Sequence, residues 1–225
     1  MQAPFRTQAI VLRRTNYGEA DRVLSLLTPD RGKLSAIAKG VRKPKSKLAG
    51  GLELLAVCDL TLVGGKGNMA LITSARLNQF YGSILQEYER LERAYLFIKE
   101  VNRATETISE PEFYYLLQKS LEYLNAKNID WHLTELWFRL HLRALLGHGI
   151  NVLSDRNGTK LAADKTYHYD FSEQAFYADA NGRFTADHIK LLRLLLAKNP
   201  AVMRQVSGID KALEDCLWLV RSFES

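Results

Sequence analysis

The chain has 225 residues (25.6 kDa), of which 47% are apolar and 25% charged, with a formal net charge of +6. That is material for one large domain or two modest ones, and no apolar run approaches the roughly eighteen residues that would span a membrane as a helix. Two cysteines far apart in sequence, Cys58 and Cys216, exclude a disulfide framework and predict buried free thiols among their apolar neighbours.

The amino terminus, MQAPFRTQAIVLRR, lacks the basic region, apolar core and small-residue cleavage site of a secretory signal, so a cytoplasmic location is expected. The first eighty residues read as short strands separated by turn residues. Thr7–Arg14 is the first, followed by a turn at Asn16-Tyr17-Gly18-Glu19. Ala20–Thr28 is the second, ended by Pro29-Asp30-Arg31-Gly32, with proline placed to preset φ and glycine to close the turn. Lys33–Lys39 is the third: Leu34, Ala36 and Ala38 share one face, and Lys33, Ser35, Ile37 and Lys39 the other. A basic loop follows. Leu52–Val63 is apolar enough for a central strand, and Gly64-Gly65-Lys66-Gly67-Asn68 turns it into Met69–Leu77. Five short strands with glycine-marked turns predict a small closed barrel of the OB type; an SH3-like barrel or a split sheet has the same strand count.

From about Ser83 the apolar period changes from two to that of a helix. Ile84, Tyr88, Leu91, Tyr95 and Ile98 form the expected buried stripe of a long amphipathic helix over 81–107. Pro111 opens a second helix with Phe113, Leu116, Leu117, Leu121 and Leu124 as its buried set. Asp130 is the predicted N-cap of a third, central helix ending at Gly147 or Gly149. Residues 150–183 are polar, aromatic and irregular, with a small hairpin expected around Tyr167–Tyr177. Helices return over 186–198 and 208–223. The fold class is therefore α+β: an OB-type β-module over 1–80, then a mainly helical domain over 81–225 with an irregular insertion at about 150–183.

Charge is distributed unevenly between these parts. Residues 1–80 hold thirteen Lys+Arg against five Asp+Glu, while the remaining 145 hold eighteen against twenty. The stretch RGKLSAIAKGVRKPKSKLAG (31–50) carries Arg31, Lys33, Lys39, Arg42, Lys43, Lys45 and Lys47 and no acid. Such an asymmetry points to a polyanion, and nucleic acid is the first candidate, because neutralised phosphates release counterions. A basic loop leaving a small sheet is well placed to track a phosphate backbone. Gly64-Gly65-Lys66-Gly67 reads first as a hairpin turn, with Lys66 a further candidate phosphate contact.

Other chemistries find little support. Gly64-Gly65-Lys66-Gly67 lacks the spacing and the following Ser/Thr of a P-loop, and no G-x-S-x-G elbow or H-E-x-x-H helix occurs. Of the five histidines only His141 and His148 are spaced to share a helix face, without a third ligand. No metal, cofactor or catalytic constellation is expected. A nuclease would need acidic metal ligands beside residues 31–50, which hold none; a protein scaffold would bind no polyanion. Aromatics in the basic module are few (Phe5, Tyr17, Phe80), and the three tryptophans fall at core spacings in the helical part. Binding dominated by Lys/Arg contacts would be sequence-tolerant, salt-dependent and poorly selective between single and double strands.

The run TQAIVLRRTNYGEADRVLSLLTPDRGKL, continued by AKGVRKPKSKLAGGLE, resembles the amino-terminal half of the RecO family of bacterial recombination mediators. LLGHGINVL matches a helix end of the family more weakly. The resemblance implies an OB fold followed by a helical domain, binding of single- and double-stranded DNA, and annealing of complementary strands. It also implies partnership with RecR and single-stranded-DNA-binding protein in loading the RecA recombinase. Its DNA surface would use Arg31, Lys33, Lys39, Arg42, Lys43, Lys45 and Lys47. The alternative function is an RNA-binding OB module. Many relatives carry a four-cysteine zinc site after the central helix; residues 154–181 contain no cysteine. Zinc is therefore not expected, and packing of Tyr167, Tyr169, Phe171, Phe176 and Tyr177 is expected to hold this region instead.

Overall fold

A computed structural model of the chain describes residues 3–65, 69–205 and 210–224. The chain divides into two compact units, residues 1–125 and 126–225. The expected division at residue 80 marks a change from strand to helix, but the first two helices belong to the same compact unit as the barrel.

In the first unit, β1 (Phe5–Tyr17), β2 (Asp21–Thr28), β3 (Gly32–Ala38), β4 (Ala56–Gly64) and β5 (Met69–Phe80) close a barrel in the order β1-β2-β3-β5-β4. Only β3 and β5 are parallel, over Ser35–Ile37 and Met69–Leu71. Closure rules out the split sheet, and the arrangement is the OB fold. The long β1 serves two neighbours: Phe5–Ile10 pair with β4 and Ile10–Tyr17 with β2. A bulge between Val11 and Arg13 lets it bend from one to the other. The extra residue also changes which side chains point inward. Val11 opposes Leu26 and Arg14 opposes Leu24, so Arg14 takes the inner side, where its Nη1 meets Glu53 Oε2 at 3.0 Å.

The barrel interior is filled by Ala9, Val11, Leu24, Leu26, Ala36, Ala38, Leu60, Leu62 and Ile72, with Val41 and Leu52 from the β3–β4 connection. The predicted alternation of β3 holds: Ala36 and Ala38 are inside, Leu34 packs against the core, and Lys39 is exposed. The predicted strand over Leu52–Val63 begins instead at Ala56. Leu55 has φ +57, a turn conformation, so the apolar run first supplies Leu52 and Leu55 as buried plugs and only then becomes a strand.

Two helices complete this unit, α1 (Tyr88–Ala104) and α2 (Glu112–Asn125). The expected helix over 81–107 is interrupted: Gly82–Gln86 form a 3-10 turn and Glu87 is extended, so Ile84 is out of phase with α1. The buried face is Arg90, Ala94, Phe97, Ile98 and Val101, whereas Tyr88 and Tyr95 of the predicted stripe are exposed. In α2 all five predicted core residues are buried.

In the second unit, α3 (Trp131–Leu145) is buried without a break from Leu133 to Leu140 and packs on α4 (Ala186–Ala197) and α5 (Asp210–Arg221). Asp130 caps it as predicted, accepting from His132 N–H at 2.8 Å, and Gly147 (φ +82) follows its end. Glu135 lies fully buried inside this helix, bound by Arg139 Nε at 2.8 Å and by Arg221 of α5 at 2.9 and 2.5 Å. The hairpin between α3 and α4 is β6 (Tyr167–Asp170) with β7 (Ala175–Ala178). Edge-to-face contacts of Tyr169 with Phe223, at 5.5 Å, and of Phe171 with Trp218, at 5.9 Å, hold it against α5 and the residues just after it. Of the tryptophans expected in the core, Trp137 is buried and Trp131 half-buried, but Trp218 is 42% exposed with Arg183 lying 4.1 Å over its ring.

Candidate nucleic-acid interface

The basic stretch 39–47 leaves β3 and re-enters the barrel through aliphatic anchors, buried Val41 within it and, after it, half-buried Leu48 and buried Leu52. Gly40 turns the chain at φ +64, a conformation that a side chain would strain. The segment then folds into consecutive tight turns, with Lys43 N–H donating to the Gly40 carbonyl at 3.1 Å and Ser46 N–H to the Lys43 carbonyl at 3.0 Å. Contacts with the β1–β2 turn hold it in place. Gly40 N–H donates to Asp21 Oδ1 at 2.7 Å, Arg42 N–H to the Ala20 carbonyl at 2.9 Å, and Arg42 Nη1 reaches the Gly18 carbonyl at 3.4 Å.

Backbone and anchors are thus engaged while the cations are left outward. Lys39, Arg42, Lys43, Lys45 and Lys47 are all exposed, and among the described residues none of the five meets a carboxylate within ion-pair distance. Five positive charges on nine residues repel one another. A polyanion relieves that repulsion, and water screens it only in part.

The other predicted contacts lie elsewhere. Lys39 and Lys33 stand at opposite ends of β3, about 20 Å apart along an extended strand. Arg31 is exposed in the β2–β3 turn, with its guanidinium 3.9 Å over the Phe5 ring and its Nε 3.6 Å from Asp30. Lys33 is mostly buried: its Nζ donates to the Asn102 carbonyl near the end of α1 at 2.8 Å and lies 3.7 Å from Glu106. Lys39, Arg42, Lys43, Lys45 and Lys47 are thus exposed along one continuous connection, and Arg31 and Lys33 stand at the other end of β3. Lys66 lies outside the described residues.

Strand pairing brings two residues from outside the 31–50 stretch close to the start of the loop. Arg22 opposes Ala38 at the end of the β2–β3 ladder and donates from Nε to Asn16 Oδ1 at 3.2 Å. Tyr17 ends β1 opposite Asp21 and is 60% exposed. Arg22 lies outside the basic stretch because it is isolated in sequence. The hairpin signal at Asn16–Glu19, which pairs β1 with β2, was the clue to both.

Chemistry of other kinds is poorly served. Among the described residues no group of three or more His, Cys, Asp or Glu is placed to hold a metal ion. Burial pushes the Cys58 thiol up to about 11 and raises Cys216 further, so neither is a ready nucleophile. A cavity of about 390 Å³ in the second unit is lined by Arg183, Glu214, Trp218, Arg221 and Ser222. Both of its guanidiniums are already bound, Arg183 by Asp215 at 2.6 Å and Arg221 by Glu135.

Comparison with known proteins finds relatives of the barrel region. Residues 1–81 match the family model for the N-terminal region of recombination protein O. The chain is 39% identical over 144 residues to the DNA repair protein RecO of Heliobacterium modesticaldum, covering 64% of this chain and 52% of that one. It is 36% identical over 146 residues to the protein of the same name from Dehalococcoides mccartyi (64% and 56%). For that of Moorella thermoacetica the identity is 35% over 133 residues (55% and 46%). The chain thus spans about half the length of the curated relatives it matches.

Proposed function

We propose, from the kinship of residues 1–81 with the recombination protein O family, that this chain is a DNA-binding recombination mediator acting in DNA repair. The observation that carries this reading is the cluster Lys39, Arg42, Lys43, Lys45 and Lys47: exposed, free of acid partners among the described residues, and held by main-chain hydrogen bonds to the β1–β2 turn.

The mechanism is electrostatic. Two DNA strands repel through their phosphates, and a pre-arranged row of cations on one loop neutralises part of that charge where the strands meet. Because the loop backbone is already ordered, little conformational entropy is lost on binding. Complementary strands then approach and pair, with no bond made or broken by the protein. In this reading Arg31 and Lys33 contribute to the barrel's fold more than to DNA, and Lys66 belongs to the β4–β5 connection as a further phosphate contact. The helical residues would present surfaces to RecR, to single-stranded-DNA-binding protein and to the RecA loading step, in the cytoplasm. The name DNA repair protein on the relatives favours this over an RNA-binding module.

A salt titration of binding to single- and double-stranded DNA, with annealing followed in the same samples, tests the proposal. The expected result is affinity for both forms that falls steeply with salt, and annealing that falls in parallel. A chain that binds neither form at low salt would overturn it.

A further inference from the structure

Tyr17 stands apart from the other aromatics of the barrel. The ring of Phe5 is covered by Arg31 at 3.9 Å, and Phe80, though 43% exposed, lies against Gly82 at the end of β5 opposite Ala56. Tyr17 is 60% exposed, and among the described residues no ring or guanidinium stacks on it. It ends β1 at the start of the turn whose next residues bind the basic loop: Gly18 and Ala20 offer their carbonyls to Arg42, and Asp21 accepts from Gly40. A large, exposed aromatic ring thus sits next to a turn that is hydrogen-bonded to the basic loop.

We infer that Tyr17 is a stacking platform for an unpaired base of the strand whose phosphates the 39–47 loop binds, so that this site favours single-stranded over duplex DNA. The inference rests on the DNA-binding reading above and adds to it. A base in a duplex has both faces covered by its neighbours. An unpaired base can leave the stack and cover the tyrosine, removing apolar surface of both from water. Stacking on an aromatic side chain is sequence-tolerant, since every base has a π-face. This departs from the expectation of poor discrimination between strand types, which followed from counting aromatics without knowing which were exposed.

The test compares three strands of equal length: a thymidine single strand, the same backbone with abasic sites in place of bases, and a duplex. Wild-type protein is expected to bind the base-bearing single strand at least about fivefold more tightly than the abasic one. Tyr17→Ala is expected to remove that difference and leave duplex affinity unchanged, while Tyr17→Phe retains it. A thymidine strand carrying 5-iododeoxyuridine should photo-crosslink the wild-type protein in the peptide containing Tyr17, which reads the contact without any substitution. If wild-type protein binds with a steep salt dependence but Tyr17→Ala loses nothing, or loses equally on duplex and single strand, the stacking role is overturned and the electrostatic reading stands. If wild-type protein binds no strand at all, both fall.

Discussion

Lys33 donates from Nζ to the main-chain carbonyl of Asn102 at 2.8 Å, joining the outer face of β3 to the last turn of α1. Unpaired carbonyls at a helix C-terminus carry partial negative charge, and a lysine there satisfies one of them while opposing the helix dipole. Glu106, 3.7 Å away, adds a second attraction. A cation that charge counting assigns to DNA thereby also takes part in packing the barrel unit.

Lys33→Ala should therefore lower the stability of the barrel unit by about 1 kcal/mol, the ordinary net value of a partly buried charged hydrogen bond. DNA affinity at a temperature where the protein is folded should change less than twofold. Urea denaturation together with fluorescence anisotropy separates the two. A large loss of DNA binding with unchanged stability would return Lys33 to the interface.

The loop cations should behave in the opposite way. Replacing Arg42, Lys43, Lys45 and Lys47 together by Ala removes only exposed side chains and should leave the melting temperature close to wild type. DNA affinity should fall for all sequences alike, and the slope of log K against log salt should flatten by about 3 if each cation neutralises a phosphate. An unchanged slope would show that the loop does not touch the backbone.

Gly51 tests how the loop's far end is anchored. A Cβ there would lie 2.5 Å from the Ala75 carbonyl carbon, a main-chain atom of β5 that cannot turn aside. Gly51→Ala should destabilise the barrel by roughly 1–3 kcal/mol, the usual cost of overpacking. Thermal melting monitored by circular dichroism would show it, and wild-type stability would mean that the 49–51 turn can shift without disturbing the strand.

The Glu135 cluster predicts an acid limit for the second unit. Burial alone would push this carboxyl up, but the hydrogen bonds and charges of Arg221 and Arg139 outweigh burial and hold it below its ordinary value of 4.5. A carboxyl with a lowered folded value stabilises fully above the unfolded value and loses that contribution as pH falls below about 4.5. Stability measured by denaturant from pH 7 to pH 3 should fall on that limb. Glu135→Gln should flatten the limb and cost about 3 kcal/mol at pH 7, since it leaves Arg139, itself buried, short of its counter-charge. An unchanged acid limb would mean that other carboxylates set it.

Strand-level features were legible along the chain because they are local. Pro29-Asp30-Arg31-Gly32 can do little but turn, and the alternation of Leu34, Ala36 and Ala38 against Lys33 and Lys39 admits one inner face. Asp130 and Gly147 ended a helix as their chemistry dictates. The errors fell where a pattern has two physical solutions. An apolar run such as Leu52–Leu55 can form a strand or plug a barrel, and Leu55 at φ +57 settles it as a plug. A stripe spaced 4, 3, 4, 3 counts as one helix face only if the helix is unbroken, and extended Glu87 breaks it.

That a basic, strand-rich module precedes a helical remainder, and that cations crowd into residues 39–47, follows from residue order, since composition and contiguity survive any folding of the chain. Which cations are separated, and which are engaged by the fold, follows from strand and helix placement. Seven residues of β3 carry Arg31 and Lys33 away from the loop, the end of α1 captures Lys33, and strand pairing delivers Arg22 and Tyr17 to the loop from a distant part of the chain. The reason is geometric: an extended strand separates sequence neighbours at more than 3 Å per residue, while hydrogen-bonded pairing brings distant residues to about 5 Å.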